Sequence, residues 1–347
     1  MENFQIIKIL ILTTIAFVAA FSLTPLMTHY LYKYKMGKSI RNTGKTPIFS
    51  SLHEHKEGTP TMGGILIWLV ALLVALIFFY INYFFPESSL GKLNFLTRSE
   101  TLLPFGALIA AALVGLADDI IDLKSKGKGG INIFHRLLIY TGIAIVGALW
   151  FYFKLDWDMF HVPFVGNFSI GLWYIPVFIL VIVATAFSVN EIDGLDGLAG
   201  GTLLSAFAAF GVIAMMQGKL DLAAFCGVIA GGLLAFLWFN INPARFFMGD
   251  TGAMSLGVTL GIVAMLTNQA LLLLIIGLLL VMESGSVILQ VLSKKLRGGR
   301  KIFHSTPIHH HFQALGWSEP KIVMRFWVIA GVSAVAGIVV FLLDKGI

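Results

Sequence analysis

Ten stretches of mostly apolar residues run along this chain, each long enough for a helix of about 20 residues to cross the hydrocarbon core of a bilayer. They lie at about 4–28, 63–85, 101–117, 133–153, 172–190, 197–216, 221–240, 251–268, 270–293 and 322–343. The first is too long for the 7–15-residue core of a signal peptide, and Pro25 and His29 stand where a cleavage site would be expected. The sixth to ninth are joined by very short links. The reading is an all-α polytopic membrane protein of about ten transmembrane helices. Residues 1–347 are expected to form a single transmembrane domain, with no soluble appendage, internal repeat or low-complexity segment.

Composition agrees. Charged residues make up 12% of the chain and hydrophobic residues 58%, with a mean hydropathy of +0.89. Soluble domains carry about 25% charged residues. A water-soluble globule, a disordered chain and an ordinary nucleic-acid binder are excluded. The 36 glycines, spread along the chain, suit closely packed membrane helices. A lone cysteine, Cys226, excludes a disulfide framework and a cysteine zinc site.

Charge placement sets orientation, because cytoplasmic loops carry the excess of Lys and Arg. Of 24 such residues, 18 fall in or beside the loops after spans one, three, five, seven and nine, Lys38, Arg41, Lys45, Lys126, Lys128, Arg136, Arg245 and Lys294 among them. Those loops are expected in the cytoplasm, with both termini outside. The unusual polar residues fall in the same loops. An ion-coupled transporter using Glu283 and the aspartates is the alternative of a different class. Such a protein should place ionisable groups near the midplane, whereas here almost all of them lie at one interface, Glu283 being the main exception.

Five segments carry chemistry: 30–62, 118–132, 190–197, 241–250 and 294–321. Asp118, Asp119 and Asp122 close span three, with Asp118 and Asp122 on one helical face. Two carboxylates about 4 Å apart repel by roughly 4 kcal/mol at an effective dielectric of 20, so the cluster calls for a cation or a proton. Hard oxygen ligands favour Mg²⁺. Asp193, Asp196 and their glycines form a tight turn that can present backbone N–H groups to an anion or a base. Pro243 ends span seven, and Asp250 is placed either to cap span eight or to ligate a metal facing Asp118 and Asp119. Phe247 can stack on a planar base. His309, His310 and His311 cannot all face one metal from a single helix face. Beside Arg297, Arg300 and Lys301 they suit phosphate binding or proton transfer. Lys56 and Thr61, entering span two, offer an ammonium and a hydroxyl to an anion, although Thr61 could equally cap a helix start. Metal-binding acids, phosphate-binding cations and lipid-facing helices together point to phosphoryl transfer from a water-soluble donor to a membrane-resident acceptor.

The segments Gly58-Thr59-Pro60-Thr61-Met62-Gly63-Gly64, Asp118-Asp119, Asp193-Gly194-Leu195-Asp196-Gly197-Leu198, Phe247-Met248-Gly249-Asp250-Thr251-Gly252 and Pro307-Ile308-His309-His310-His311-Phe312 resemble the phospho-N-acetylmuramoyl-pentapeptide transferase (MraY) family. That family lies within the polyprenyl-phosphate N-acetylhexosamine-1-phosphate transferase superfamily. The resemblance implies transfer of phospho-N-acetylmuramoyl-pentapeptide from UDP-N-acetylmuramoyl-pentapeptide to undecaprenyl phosphate. The products would be lipid I and UMP, with Mg²⁺ as cofactor, in peptidoglycan synthesis at the bacterial inner membrane. It implies a homodimer in the lipid bilayer with its active site facing the cytoplasm.

By position the resemblance makes Asp250 the metal ligand, Asp118 and Asp119 catalytic acids, and His309 a catalytic or phosphate-contacting residue. Asn190, Asp193, Gly194, Leu195, Asp196, Asn240 and Phe247 would line the uridine side. Lys56, Thr61, His310 and His311 would lie in the substrate cleft. The chain departs from the family pattern Asn-Leu-Thr-Asp-Gly-Leu-Asp-Gly at Glu191 and Ile192, and at Ala253, where the family has Ser. The long ninth span is expected to wall the groove for the lipid tail, with Leu271–Met282 facing lipid along its length.

Overall fold

The structure, a computed structural model, describes residues 2–37, 56–98, 100–125 and 130–346. Of the basic residues used to orient the chain, Lys38, Arg41, Lys45, Lys126 and Lys128 lie outside the described residues.

Among the described residues, nine helices are long and apolar enough to cross a membrane, and a bent pair makes a tenth span. In chain order they are α1 (Glu2–Lys33), α2 (Ile65–Phe84), α3 (Leu102–Lys124), α4 (Ile133–Leu149), α5 (Tyr174–Ile192), α6 (Leu198–Met216), α7 (Leu220–Asn240) and α8 (Gly249–Leu266). The bent span is α9 (Leu273–Ile276) with α10 (Leu278–Leu296). A short helix, α11 (Ile308–Ala314), precedes the last span, α12 (Glu319–Lys345). Nine of the ten expected spans therefore have a helix long enough to cross, and the ninth expected span corresponds to the bent pair. One element was not expected: the link after α4 holds an antiparallel hairpin, β1 (Met159–Val162) paired with β2 (Gly166–Ser169).

The helix ends follow local chemistry. The Asn132 side chain accepts from the His135 N–H at 3.0 Å and caps α4. At α12, Ser318 precedes Pro320 in the first turn, and Gly346 closes the far end at φ 74, a conformation that suits glycine. Pro243 lies just beyond α7, as expected.

The bundle is built around α8, which is buried along nearly its whole length and packs between α3 and α5. Small residues make this possible. A Cβ at Gly115 of α3 would stand 2.3 Å from the Asp250 carbonyl oxygen. That contact brings the carboxylate end of α3 against the first turn of α8.

Two readings of the helices are corrected. The third span does not close before its acids. Helix α3 runs on to Lys124, and Asp118 and Asp119 lie inside it at 0% and 3% exposure. They are thus buried groups, and only half-buried Asp122 resembles a solvated helix end. The ninth span does not face lipid throughout. It bends by 86° at Gly277, and Leu272, Ile276, Leu279 and Leu280 are buried while Leu274, Leu278, Val281 and Met282 are exposed. The bend turns successive faces inward.

The links after α1, α3, α5, α7 and α10 meet at one end of the bundle. At the opposite end Lys8 binds Asp221 at 2.9 Å and the Asn94 carbonyl at 2.6 Å, and His161 of the hairpin meets Asp344 at 2.7 Å. The parity of spans read from sequence is the parity of the fold.

Candidate active site

Three groups of polar side chains gather at the end where the odd links meet. The first is centred on Arg136, in the first turn of α4. Its Nη1 and Nη2 reach the two carboxylate oxygens of Asp250 at 2.9 and 2.8 Å. Nη2 also lies 2.8 Å from Asp118 Oδ2, and Nη1 donates to Asn190 Oδ1 at 2.9 Å. Asn190 Nδ2 donates in turn to Asp250 Oδ1 at 2.7 Å. The other oxygen of Asp118 accepts the Ile131 N–H at 2.5 Å.

Asp119 faces a different set of donors. Its carboxylate accepts the N–H groups of Asp250 at 3.1 Å and Thr251 at 3.0 Å, with the Thr61 hydroxyl at 3.5 Å. It satisfies from α3 the orphan donors at the start of α8. This corrects two expectations. Asp250 does not cap α8: the cap position is Met248, with no side-chain bond, and the Asp250 carboxylate turns to Arg136 instead. Nor does Thr61 cap α2, whose cap position is Gly64.

The second group is a buried ion triad. Lys56 Nζ lies 2.6 Å from Asp196 Oδ1 and 2.6 Å from Glu319 Oε1. Asp196 Oδ2 accepts from Asn242 Nδ2 at 3.0 Å and the Ala244 N–H at 3.1 Å. Lys56 Nζ also sits 5.8 Å from the centre of the half-buried Phe247 ring. The turn from Asp193 to Asp196 was expected to present free N–H groups. Two of its amides are already taken: Asp196 N–H donates to Glu319 at 2.6 Å and Gly194 N–H to the Ile192 carbonyl at 2.9 Å, and the next amide, Gly197 N–H, donates to Asn240 Oδ1 at 2.9 Å. The anion at this edge is the protein's own Glu319. Asn240 is fixed in turn by the Phe246 carbonyl at 2.8 Å. Leu195 is buried, and Asp193 and Gly194 are half-buried.

The third group holds the histidines. His309 is fully buried, with Nδ1 2.9 Å from Glu283 Oε2, itself fully buried. Its Nε2 has no hydrogen-bond partner among the described residues and lies against Gly194, where a Cβ would stand 2.3 Å away. His310 Nδ1 pairs with Gln313 Oε1 at 2.7 Å. His311 accepts the His304 N–H at 3.2 Å and stacks on the His304 ring. The three rings therefore diverge, as expected on one short helix. Burial pushes His309 and His310 down to about 3, helped by the Lys56 charge, so both are neutral at physiological pH. Arg297, Arg300 and Lys301 are exposed, while the first two histidines point inward.

Five separated segments thus converge on one end of a membrane bundle, in the order their motifs occur. Residues 101–268 match glycosyl transferase family 4, and residues 56–67 match signature 1 of the phospho-N-acetylmuramoyl-pentapeptide-transferases. The phospho-N-acetylmuramoyl-pentapeptide-transferase of Listeria monocytogenes serovar 1/2a is 40% identical over 94% of this chain and 96% of its own length. That of Chloroflexus aggregans is 37% identical over 95% of this chain and 89% of its own. The chain belongs to the phospho-N-acetylmuramoyl-pentapeptide transferase family.

Within this transferase fold, three contributors were not among the expected site residues. Arg136 entered the sequence reading only as a positive charge, yet an arginine one turn inside an apolar span is itself a signal of a partner. Glu319 reads as an ordinary acid at a helix start. Glu283, the exception in mid-span, finds its partner in His309.

A divalent cation fits this site in kind. Asp118 and Asp250 supply hard carboxylate oxygens from two helices, and these oxygens already converge on one positive group, the Arg136 guanidinium. They are turned onto that guanidinium, and no group of three or more His, Cys, Asp or Glu among the described residues is arranged to hold a metal ion.

Proposed function

We propose that this protein transfers phospho-N-acetylmuramoyl-pentapeptide from UDP-N-acetylmuramoyl-pentapeptide to undecaprenyl phosphate, giving lipid I and UMP, with Mg²⁺ as cofactor. The reaction runs at the cytoplasmic face of a bacterial inner membrane, both termini lie outside, and the enzyme works as a homodimer. The observation that carries the reading is the convergence of Lys56, Asp118, Asp119, Asp196, Asp250 and His309 at one end of the bundle. It comes in a chain aligned along nearly its full length with transferases of that name.

Asp250 and Asp118 are the residues that would hold Mg²⁺, which neutralises phosphate charge when bound. Asp119, with both oxygens on backbone amides, fixes α8 against α3 and so positions Asp250. Arg136 sits beside Asp118 and Asp250 and neutralises them. The Phe247 face, with Lys56 and Asp196 beside it, forms the side that receives uracil. Neutral His309, anchored by Glu283, offers Nε2 towards the Asp193–Asp196 turn.

The reading is tested by UMP release from the nucleotide donor, with and without polyprenyl phosphate and Mg²⁺. Release that requires all three supports it. An absence of release under every condition, with purified and folded protein, would remove it.

A further inference from the structure

The acids assigned to the metal already hold a cation that belongs to the protein. Both carboxylate oxygens of Asp250 contact the Arg136 guanidinium, as does the Asp118 oxygen that Ile131 leaves open. A divalent cation bound by Asp118 and Asp250 needs those same oxygens at about 2.0–2.1 Å. A guanidinium held at 2.8 Å from both acids stands in its place. The two cations compete for one set of lone pairs.

The guanidinium has a second place to go. A cavity of about 310 Å³ opens beside it, lined by Arg136 together with Asn132, Tyr140, Asn190 and Glu191. The Tyr140 hydroxyl is buried without a hydrogen-bond partner among the described residues. Glu191 is half-buried in the lining of the same cavity. It is also the acid that departs from the family pattern. A planar guanidinium leaving one carboxylate pair finds another carboxylate across this space.

We propose that Arg136 is a placeholder cation. It neutralises Asp118 and Asp250 when no metal is bound, and a metal ion enters by displacing it towards Glu191. The inference rests on the reading of Asp250 as a metal ligand.

The test is Mn²⁺ binding to the detergent-solubilised protein, followed by the electron paramagnetic resonance signal of free Mn²⁺, with thermal unfolding to confirm that each variant is folded. Lysine keeps the charge of Arg136 but loses the two-pronged clamp. Arg136→Lys is therefore expected to bind Mn²⁺ about tenfold or more tightly than the wild type, because charge-assisted contacts no longer have to be broken. Arg136→Gln should bind more tightly still. Glu191→Gln should weaken binding in the wild type and have no effect in the Arg136→Gln background, since Glu191 acts through Arg136.

If Arg136→Gln tightens binding while Arg136→Lys matches the wild type, simple charge repulsion explains the site and the displacement is overturned. Equal effects of Glu191→Gln in both backgrounds overturn the role of Glu191. Mn²⁺ binding that survives Asp250→Asn, or fails in every variant, overturns the metal assignment itself, a result distinct from equal affinity in wild type, Arg136→Lys and Arg136→Gln, which overturns only the placeholder.

Discussion

Replacing Lys56 with Met should destabilise the protein through the acids it leaves behind. The ammonium lies 2.6 Å from an oxygen of Asp196 and 2.6 Å from one of Glu319, and the three side chains are 9%, 3% and 9% exposed. Those two oxygens are no more than about 5 Å apart, twice the 2.6 Å contact. At an effective dielectric of 20, two unit charges at about 5 Å repel by roughly 3 kcal/mol. Removing one partner of a buried ion pair costs about 3–5 kcal/mol, so the two routes to the magnitude agree. Met keeps the apolar stem as far as Cε and drops only the ammonium, so the loss is of charge more than of packing.

The assay is equilibrium unfolding in detergent of the wild type, Lys56→Met, Glu319→Gln and the double variant. Gln can still accept the Asp196 N–H that Glu319 now accepts at 2.6 Å. It removes one of the two opposed charges. The double variant is expected to be more stable than Lys56→Met alone, recovering most of the roughly 3 kcal/mol of repulsion. If Lys56→Met costs less than about 1 kcal/mol, the value of an exposed pair, or if the two substitutions add, the triad is not a coupled buried unit and the reasoning fails.

Three further outcomes are expected. Asp250→Asn should reduce turnover to background while the protein stays folded, because Asp118 still pairs with Arg136 at 2.8 Å; wild-type turnover in excess chelator would refute the metal role behind this. Phe247→Ala should weaken the nucleotide donor by up to about tenfold, the scale of lost stacking, and leave the lipid KM unchanged; a raised lipid KM would place Phe247 in the acceptor path. His309 and His310 are held down to about 3 from an ordinary 6.5, so between those values the unfolded chain binds more protons. Their contribution to stability is complete above about pH 6.5 and falls by up to about 1.4 kcal/mol per pH unit for each as pH drops towards 3. Unfolding midpoints that stay flat from pH 7.5 to 5 would refute it.

Most of the helices were legible because apolar length is a direct physical requirement of a bilayer. The end of α3 was not. The run from Asp118 to Asp122 reads as polar and so as an interface, yet the helix continues to Lys124 because Arg136 and the first amides of α8 reach its acids. The bend at Gly277 was equally hidden, since Leu271–Met282 is uniformly apolar and carries no periodic sign of which side is buried. The site residues that lie in dense motifs were legible as donors and acceptors, but their pairings were not. Asn190, expected beside Asp196, instead joins Asp250 and Arg136.

The counter-ions explain why. An acid buried at the end of a membrane helix must meet a donor, and its own helix offers few beyond its last turn. The donors therefore come from elsewhere. Lys56 and Glu319 are 263 residues apart, Arg136 and Asp250 are 114 apart, and His309 and Glu283 are 26 apart. Taken singly in the sequence, Lys56, Glu319 and Asp250 look like ordinary charges at span boundaries, and Glu283 in mid-span signals a partner without naming it. Their roles exist only once the bundle has closed. The acids and the cations that hold them are thus one assembly, and a substitution at Arg136 or Glu319 should act on the motif residues as strongly as a substitution within the motifs.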